Sequence, residues 1–314
     1  MLLIFGLLLI GILCLYLGAE GLIKGASSLA LRFGVPPLII GLTVVAFGTS
    51  SPELVISIKT NLAHQGSIAI GNVIGSNIFN IAVILGLTAL ITPISVKRQL
   101  VRLDTPIMLF ATLMFVLMFR DFQISQPEAV VFFIGIIAYI CGNYLLAKKH
   151  IRNDIEAEIE GSVPKPTRNL FFDISFIIVG LLLLVLGSRT FVKGAIELAI
   201  RLNVSEAVIG LTIVALGTSL PELATSVVAA IKKQPEIAIG NIIGSNIFNL
   251  LCIIGVTGLL APISGLGIKS FDVLIMVMIS VVIYPIMITG LKINRIEGLF
   301  LLLMYGGYIY KLWP

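Results

Sequence analysis

The sequence predicts an all-α membrane protein, with ten transmembrane helices arranged as two inverted five-helix repeats. Three observations carry that prediction: an apolar composition, a series of segments long enough to cross a bilayer, and an internal duplication. Of 314 residues, 58% are hydrophobic and 12% charged, and the mean hydropathy is +1.11. A soluble domain carries about twice that share of charge. Apolar segments fall at 2–31, 36–62, 68–91, 104–119, 127–147, 171–200, 205–231, 237–260, 270–290 and 296–312. A helix needs about 20 apolar residues to cross a bilayer. Outer-membrane strands are about ten residues long and alternate in polarity, so these continuous segments read as helices.

The first segment has no Lys or Arg before it and no small-residue cleavage site leading into a soluble domain, so it reads as a retained helix. Cys14, Cys141 and Cys252 are isolated in apolar runs, which suits small core residues better than a disulfide frame or a zinc site. With the amino terminus outside, the cytoplasmic loops hold thirteen Lys and Arg, against four in the outer loops and tail: Arg120, Arg201, Lys269 and Lys311. That bias places the chain as a multi-pass protein of the cell (inner) membrane with both termini extracellular. The net charge of +5 is a topology signal, and no nucleic acid is implied.

Shifting the chain by 169 residues aligns "GLTVVAFGTSSPEL" from Gly41 with "GLTIVALGTSLPEL" from Gly210, eleven identities in fourteen. The same shift aligns "GNVIGSNIFN" from Gly71 with "GNIIGSNIFN" from Gly240, nine in ten. The units are a first repeat, 1–146, with its motif at 41–80, a polar linker at 147–170, and a second repeat, 171–314, with its motif at 210–249. Five crossings per repeat is an odd number, so the second copy starts on the opposite side of the membrane. The copies are then related by a pseudo-two-fold axis in the membrane plane, an arrangement common among secondary transporters. The linker reads as a solvated cytoplasmic loop.

Glu53 and its repeat mate Glu222 fall near the middle of their spans, where an ionisable group is costly unless paired or hydrated and by default marks a pathway. The plain structural alternative, an ion pair at i,i+4, fits Glu20 with Lys24 and Lys193 with Glu197. No Lys or Arg lies within a turn of Glu53 or Glu222, so a partner must come from elsewhere. On a continuous helix Thr49 and Ser50 share a face with Glu53, as Thr218 and Ser219 do with Glu222. Pro52 and Pro221 free the carbonyls of Gly48 and Gly217. Carboxylate, hydroxyl and free carbonyl together form the ligand set of a hard cation. Ser76 with Asn80, and Ser245 with Asn249, add a polar stripe at i,i+4. Gly71 with Gly75, and Gly240 with Gly244, permit close helix approach, while Asn72, Asn77, Asn241 and Asn246 read as ties between helices.

"GTSSPE/GTSLPE" with "GNVIGSN/GNIIGSN" resembles the paired alpha-repeats of the cation/calcium antiporter superfamily, in particular its sodium/calcium exchanger branch. The resemblance implies that helices 2, 3, 7 and 8 enclose the ions while the long tilted helices 1 and 6 slide across them. It implies a metal-ligand set of Thr49, Ser50, Glu53, Ser76 and Asn80 with Thr218, Ser219, Glu222, Ser245 and Asn249, joined by backbone carbonyls near Ala46 and Ala215. Spans 1 and 6 read as about 30 residues, roughly 45 Å of helix, which agrees with tilt. One departure matters: some exchangers of the family have Asp where this chain has Asn80 or Asn249, so this pocket holds two carboxylates only.

The expected function is secondary antiport of Ca2+ for Na+ by alternating access, in the direction of Ca2+ extrusion, with no cofactor and no enzymatic reaction. Antiport of Ca2+ against H+, or of other cations, is the nearest alternative. Two carboxylates about 6 Å apart repel by roughly 3 kcal/mol at an effective dielectric near 20, so an empty, doubly ionised site is avoided and either a cation or a proton fills it. A passive channel also uses Glu, Thr and carbonyls, but more naturally repeats about an axis along the membrane normal. An intramembrane enzyme is disfavoured because His64 and His150 lie at span ends and neither a metal-binding cluster nor a Ser/His pair appears.

Overall fold

The structure is a computed structural model that describes residues 2–154, 169–202 and 217–312. The first repeat opens with α1 (Leu2–Phe33) and continues through α2 (Pro37–Thr49), α3 (Ser51–Leu62), α4 (Gly66–Ile91), α5 (Leu100–Asp121) and α6 (Gln126–Asp154). The second holds α7 (Leu170–Arg201), α8 (Leu220–Ile231), α9 (Pro235–Leu260), α10 (Ser270–Leu291) and α11 (Arg295–Leu312). Among the described residues, seven helices are long and apolar enough to cross a membrane, or eight if the bent pair α2–α3 counts as one span. The expected seventh span, 205–231, is described only from Gly217, and the expected tenth, α11, carries Arg295, Glu297 and Lys311 within 18 residues. The linker expected at 147–170 begins inside α6, which continues to Asp154; residues 155–168 lie outside the described residues.

Burial separates the helices into two sets. The apolar window of α9 is 100% buried and that of α4 72%, whereas α1 and α7 are 28% and 22% buried. A helix apolar on all sides belongs in a protein core or against lipid, and here α9 and α4 take the first place and α1 and α7 the second. Short extended segments tie the repeats together. Ile94–Ser95 (β1) pairs antiparallel with Lys292–Ile293 (β4), and Gln123–Ile124 (β2) with Ile263–Ser264 (β3). Under the 169-residue shift β1 maps onto β3 and β2 onto β4, so the pairs Ile94 with Ile293 and Ile124 with Ile263 are images of each other. Such reciprocity is what a two-fold relation between the repeats produces.

Helices α1 and α7 pack along most of their length. Glycine makes this possible at the crossing: a Cβ on Gly18 would stand 2.8 Å from the Gly180 carbonyl oxygen, and one on Gly180 would stand 2.6 Å from the Leu22 nitrogen. Gly240 and Gly244 play the expected part, since added Cβ atoms would lie 2.9 Å from Leu38 O and 2.6 Å from Leu42 O, on α2. Gly71 and Gly75 meet no backbone this closely among the described residues; the equivalents of Leu38 and Leu42 are residues 207 and 211, outside them. The ion pair expected between Glu20 and Lys24 is not formed. Glu20 instead bonds Lys232, 212 residues away, and Lys24 lies over the Phe176 ring. Among the described residues Lys193 and Glu197 form no ion pair either. Helical spacing makes such pairs possible, but an interhelical partner competes and wins when packing brings it near. Cys252 is buried as expected, while Cys14 is intermediate and Cys141 exposed on α6.

Candidate cation site

The span holding "GTSSPE" is broken, and the break builds the site. Ser50 leaves helical geometry (φ −83°, ψ 3°), and α2 and α3 meet at 43°. Ser219 does the same before α8 (φ −89°, ψ 7°). Pro52 and Pro221 sit in the first turns of the restarted helices, where a missing N–H costs nothing. The same geometry puts Glu53 and Glu222 into first turns, where the unpaired N–H groups of a helix favour negative charge. Half-helices ending at mid-membrane are the device by which carriers present helix termini to ions.

Because each helix breaks at its serine, hydroxyl and carboxylate of one motif do not serve each other as a continuous helix would have them do. Ser50 Oγ donates to Glu222 Oε1 at 2.9 Å, and Ser219 Oγ to Glu53 Oε1 at 3.1 Å. These bonds are images under the repeat shift. Ser76 Oγ lies 3.2 Å from Ser219 Oγ. Thr49 Oγ1 lies 3.0 Å from Asn241 Oδ1 and Thr218 Oγ1 3.4 Å from Asn72 Oδ1, again a crossed pair. Asn80 Nδ2 donates to Asn246 Oδ1 at 3.1 Å and Asn249 Nδ2 to Asn77 Oδ1 at 3.4 Å. Asn80 and Asn249 each open a π-helical stretch, Asn80–Leu85 and Asn249–Ile253, a distortion frequent at functional sites. The Ala46 carbonyl accepts the Ser50 N–H at 3.0 Å, and Ala215 lies outside the described residues.

Glu53 and Glu222 are each 1% exposed, and among the described residues no ion pair involves either. One oxygen of each is held by a serine; the other, Glu53 Oε2 and Glu222 Oε2, has no partner among the described residues. The same holds for Asn80 Oδ1, Asn249 Oδ1 and Ser245 Oγ. Among the described residues eight buried side-chain atoms are in that condition; these five belong to the ligand set that the resemblance implies, and the other three are Asn143 Oδ1, Thr225 Oγ1 and Thr257 Oγ1. An unsatisfied buried polar atom costs about 1–3 kcal/mol, and a charged one more. Five oxygens left this way among the expected ligands, two of them carboxylate, suit a hard cation that takes six to eight oxygens.

Asn72, Asn77, Asn241 and Asn246 serve as braces. Asn72 Nδ2 donates to Ser57 Oγ at 3.0 Å and to the Glu53 carbonyl at 3.3 Å, and Asn241 repeats this with Ser226 Oγ at 3.0 Å and the Glu222 carbonyl at 3.4 Å. Ser57 and Ser226 are additions to the expected set, and their placement four residues after each glutamate is the signal that both repeats carry for them. Ser188 on α7 is a further addition: its hydroxyl donates to the Gly217 carbonyl, the one that Pro221 leaves without a helical N–H. Its repeat mate is Ala19, so only the second repeat has this contact and periodicity holds no signal for it.

Two inverted repeats joined around paired half-helices, with an oxygen-lined centre, define a membrane carrier of cations. The chain belongs to the family of sodium/calcium exchanger proteins, whose match spans residues 3–145 and 172–313. It is 33% identical to the sodium/calcium exchanger MaX1 of Methanosarcina acetivorans over 346 aligned residues, 97% of each chain. It is 36% identical to the inner membrane protein YrbG of Escherichia coli over 264 residues, 83% of this chain and 81% of that one. Among solved structures it resembles the sodium-calcium exchanger NCX_Mj soaked with zero Na+ and Ca2+, with a TM-score of 0.81, 32% identity and 99% of both chains covered. The family is one of transporters and not of enzymes, and cation antiport is its activity.

Proposed function

We propose that this chain exchanges Ca2+ for Na+ by alternating access, in the direction of Ca2+ extrusion, and that its ten crossings put both termini outside the cell membrane. The ligands are Thr49, Ser50, Glu53, Ser76 and Asn80 with Thr218, Ser219, Glu222, Ser245 and Asn249, joined by the carbonyls of Ala46 and Ala215. The observation that supports this most is the set of unpartnered buried oxygens on Glu53, Glu222, Asn80, Asn249 and Ser245. With Asn at 80 and 249 the pocket carries two negative charges, which one Ca2+ or two Na+ neutralise. A site too costly to carry unfilled across the bilayer turns over only when loaded, and this ties one cation's movement to the other's.

The test is Ca2+ flux in proteoliposomes with Na+, K+ or H+ gradients imposed one at a time. Uptake driven by Na+ alone supports the assignment, uptake driven only by H+ replaces it with Ca2+/H+ antiport, and a leak that needs no counter-ion makes the chain a channel. An imposed membrane potential that changes the rate of Na+-driven uptake would assign a third Na+ to the cycle.

Protons and Ca2+ compete for the same two carboxylates in this scheme, because neighbouring acids are relieved by either. Lowering the pH from about 8 to about 5.5 is expected to reduce uptake at subsaturating Ca2+ and to leave uptake at saturating Ca2+ much less affected. Initial rates at the two pH values check this, and a flat profile counts against shared carboxylates.

A further inference from the structure

A cavity of ≈ 390 Å³ lies between α3, α7 and the start of α8. Ser51, Thr218 and Pro221 line it at the level of the candidate site, Arg189 lines it on α7 beside Ser188, and Lys59 lines it further out. Lys59 is in the last turn of α3, eight residues beyond Ser51, which is about 12 Å of helix. Both cations are exposed, and among the described residues neither lies within 4 Å of a carboxylate. Two uncompensated positive charges on the wall of a passage to a cation site oppose entry.

The opposite face is built differently. Helix α7 stands off α3 around the cavity, whereas α1 lies along α8, with Glu20 of α1 bonded to Lys232 just past the end of α8. Inverted repeats open the second face by exchanging these two arrangements. The repeat shift then names the wall of the passage on that side: Val228 stands where Lys59 does, and Glu20 where Arg189 does. One entrance then carries two cations, and the other a carboxylate, Glu20, that Lys232 pairs in the present arrangement.

We propose that Lys59 and Arg189 form a charge filter in the passage between α3 and α7, holding back Ca2+ more than Na+ on that face. The inference rests on the exchanger reading above. A fixed charge acts on a divalent ion with twice the energy it has for a monovalent one, so any factor by which the filter lowers Na+ entry is squared for Ca2+. On the other face, Glu20 attracts Ca2+ once released from Lys232. The asymmetry favours loading of Ca2+ on the acidic face and its release through the basic one.

The experiment uses the full chain in phosphatidylcholine proteoliposomes, with Ca2+ KM measured separately from each face under a constant Na+ gradient. In the double variant Lys59→Gln with Arg189→Gln, the Ca2+ KM on the α3–α7 face is expected to fall about threefold at low ionic strength, and the Na+ half-saturation by less than about twofold. The effect should vanish in about 0.3 M N-methylglucamine chloride, where the Debye length drops well below 10 Å. The maximal rate and the KM on the other face should stay unchanged, and Lys59→Arg with Arg189→Lys should behave as the parent. An unchanged Ca2+ KM in an exchanging protein means that the two side chains only anchor lipid phosphates, and overturns the filter alone. Equal shifts for Na+ and Ca2+, or a shift insensitive to salt, also overturn it. A parent chain that moves no Ca2+ under any gradient overturns the exchanger reading, and the filter with it.

Discussion

Glu53→Gln and Glu222→Gln should each lower Na+-driven Ca2+ movement by two to three orders of magnitude while leaving a folded protein. Glutamine keeps the shape and one acceptor oxygen, so the bonds that Ser219 and Ser50 now donate survive. What is lost is half of the pocket's charge. Removing one partner from a buried charge pair costs about 3–5 kcal/mol, and every 1.4 kcal/mol is a factor of ten. The two substitutions are expected to act alike, since Glu53 and Glu222 are equally buried and each is held by a serine of the other repeat and braced by an asparagine of its own. Flux in proteoliposomes, with size-exclusion elution as the check on folding, decides the matter. Retained exchange in both single variants would remove the carboxylates from the site.

The second large effect is expected where no ion is near. Gly180→Leu places a branched side chain where even a Cβ would stand 2.6 Å from the Leu22 nitrogen, and Gly18→Leu meets the Gly180 carbonyl and the Leu184 nitrogen, both at 2.8 Å. Backbone atoms cannot rotate away, so α1 and α7 must separate. Overpacking typically costs 1–3 kcal/mol, and the upper end of that range corresponds to a fall in Tm of about 4–5 °C for a chain of this size. If the two helices move as one unit across the site, exchange is lost as well. Gly6→Leu is the control, because a Cβ there meets nothing within 4 Å among the described residues. Thermal unfolding in detergent and flux measured on the same preparations test both parts. A Gly180→Leu protein with unchanged Tm would show that the close approach is not required.

Much of the site is legible in the amino-acid sequence because the chain states it twice. The doubled "GTSxPE" and "GNxIGSNIFN" motifs single out Glu53 and Glu222, Ser76 and Ser245, and Asn80 and Asn249. Among the described residues, five of the eight buried side-chain atoms without partners fall on those six side chains. The glycine seam is also present, since Gly11, Gly18 and Gly25 recur every seven residues and map onto Gly180, Gly187 and Gly194, but spacing alone does not say which helix a glycine faces. What stays hidden involves contacts between residues far apart in the chain. Glu20 has a plausible local partner in Lys24, and only the packing of α1 against α8 brings Lys232 closer. Ser188 has no repeat mate able to do the same work, so duplication is silent about it.

By itself the sequence determined that this chain lives in a membrane, that it is two copies of one unit, and which residue types share a centre. Those properties follow from composition and from a fixed register, and both are local. The tertiary structure decided which oxygen meets which. Helical periodicity places Ser50 with Glu53, yet the break at Ser50 turns its hydroxyl to Glu222, while Ser219 crosses to Glu53. A period describes neighbours on an unbroken helix, and it ceases to apply at the residue where the helix stops.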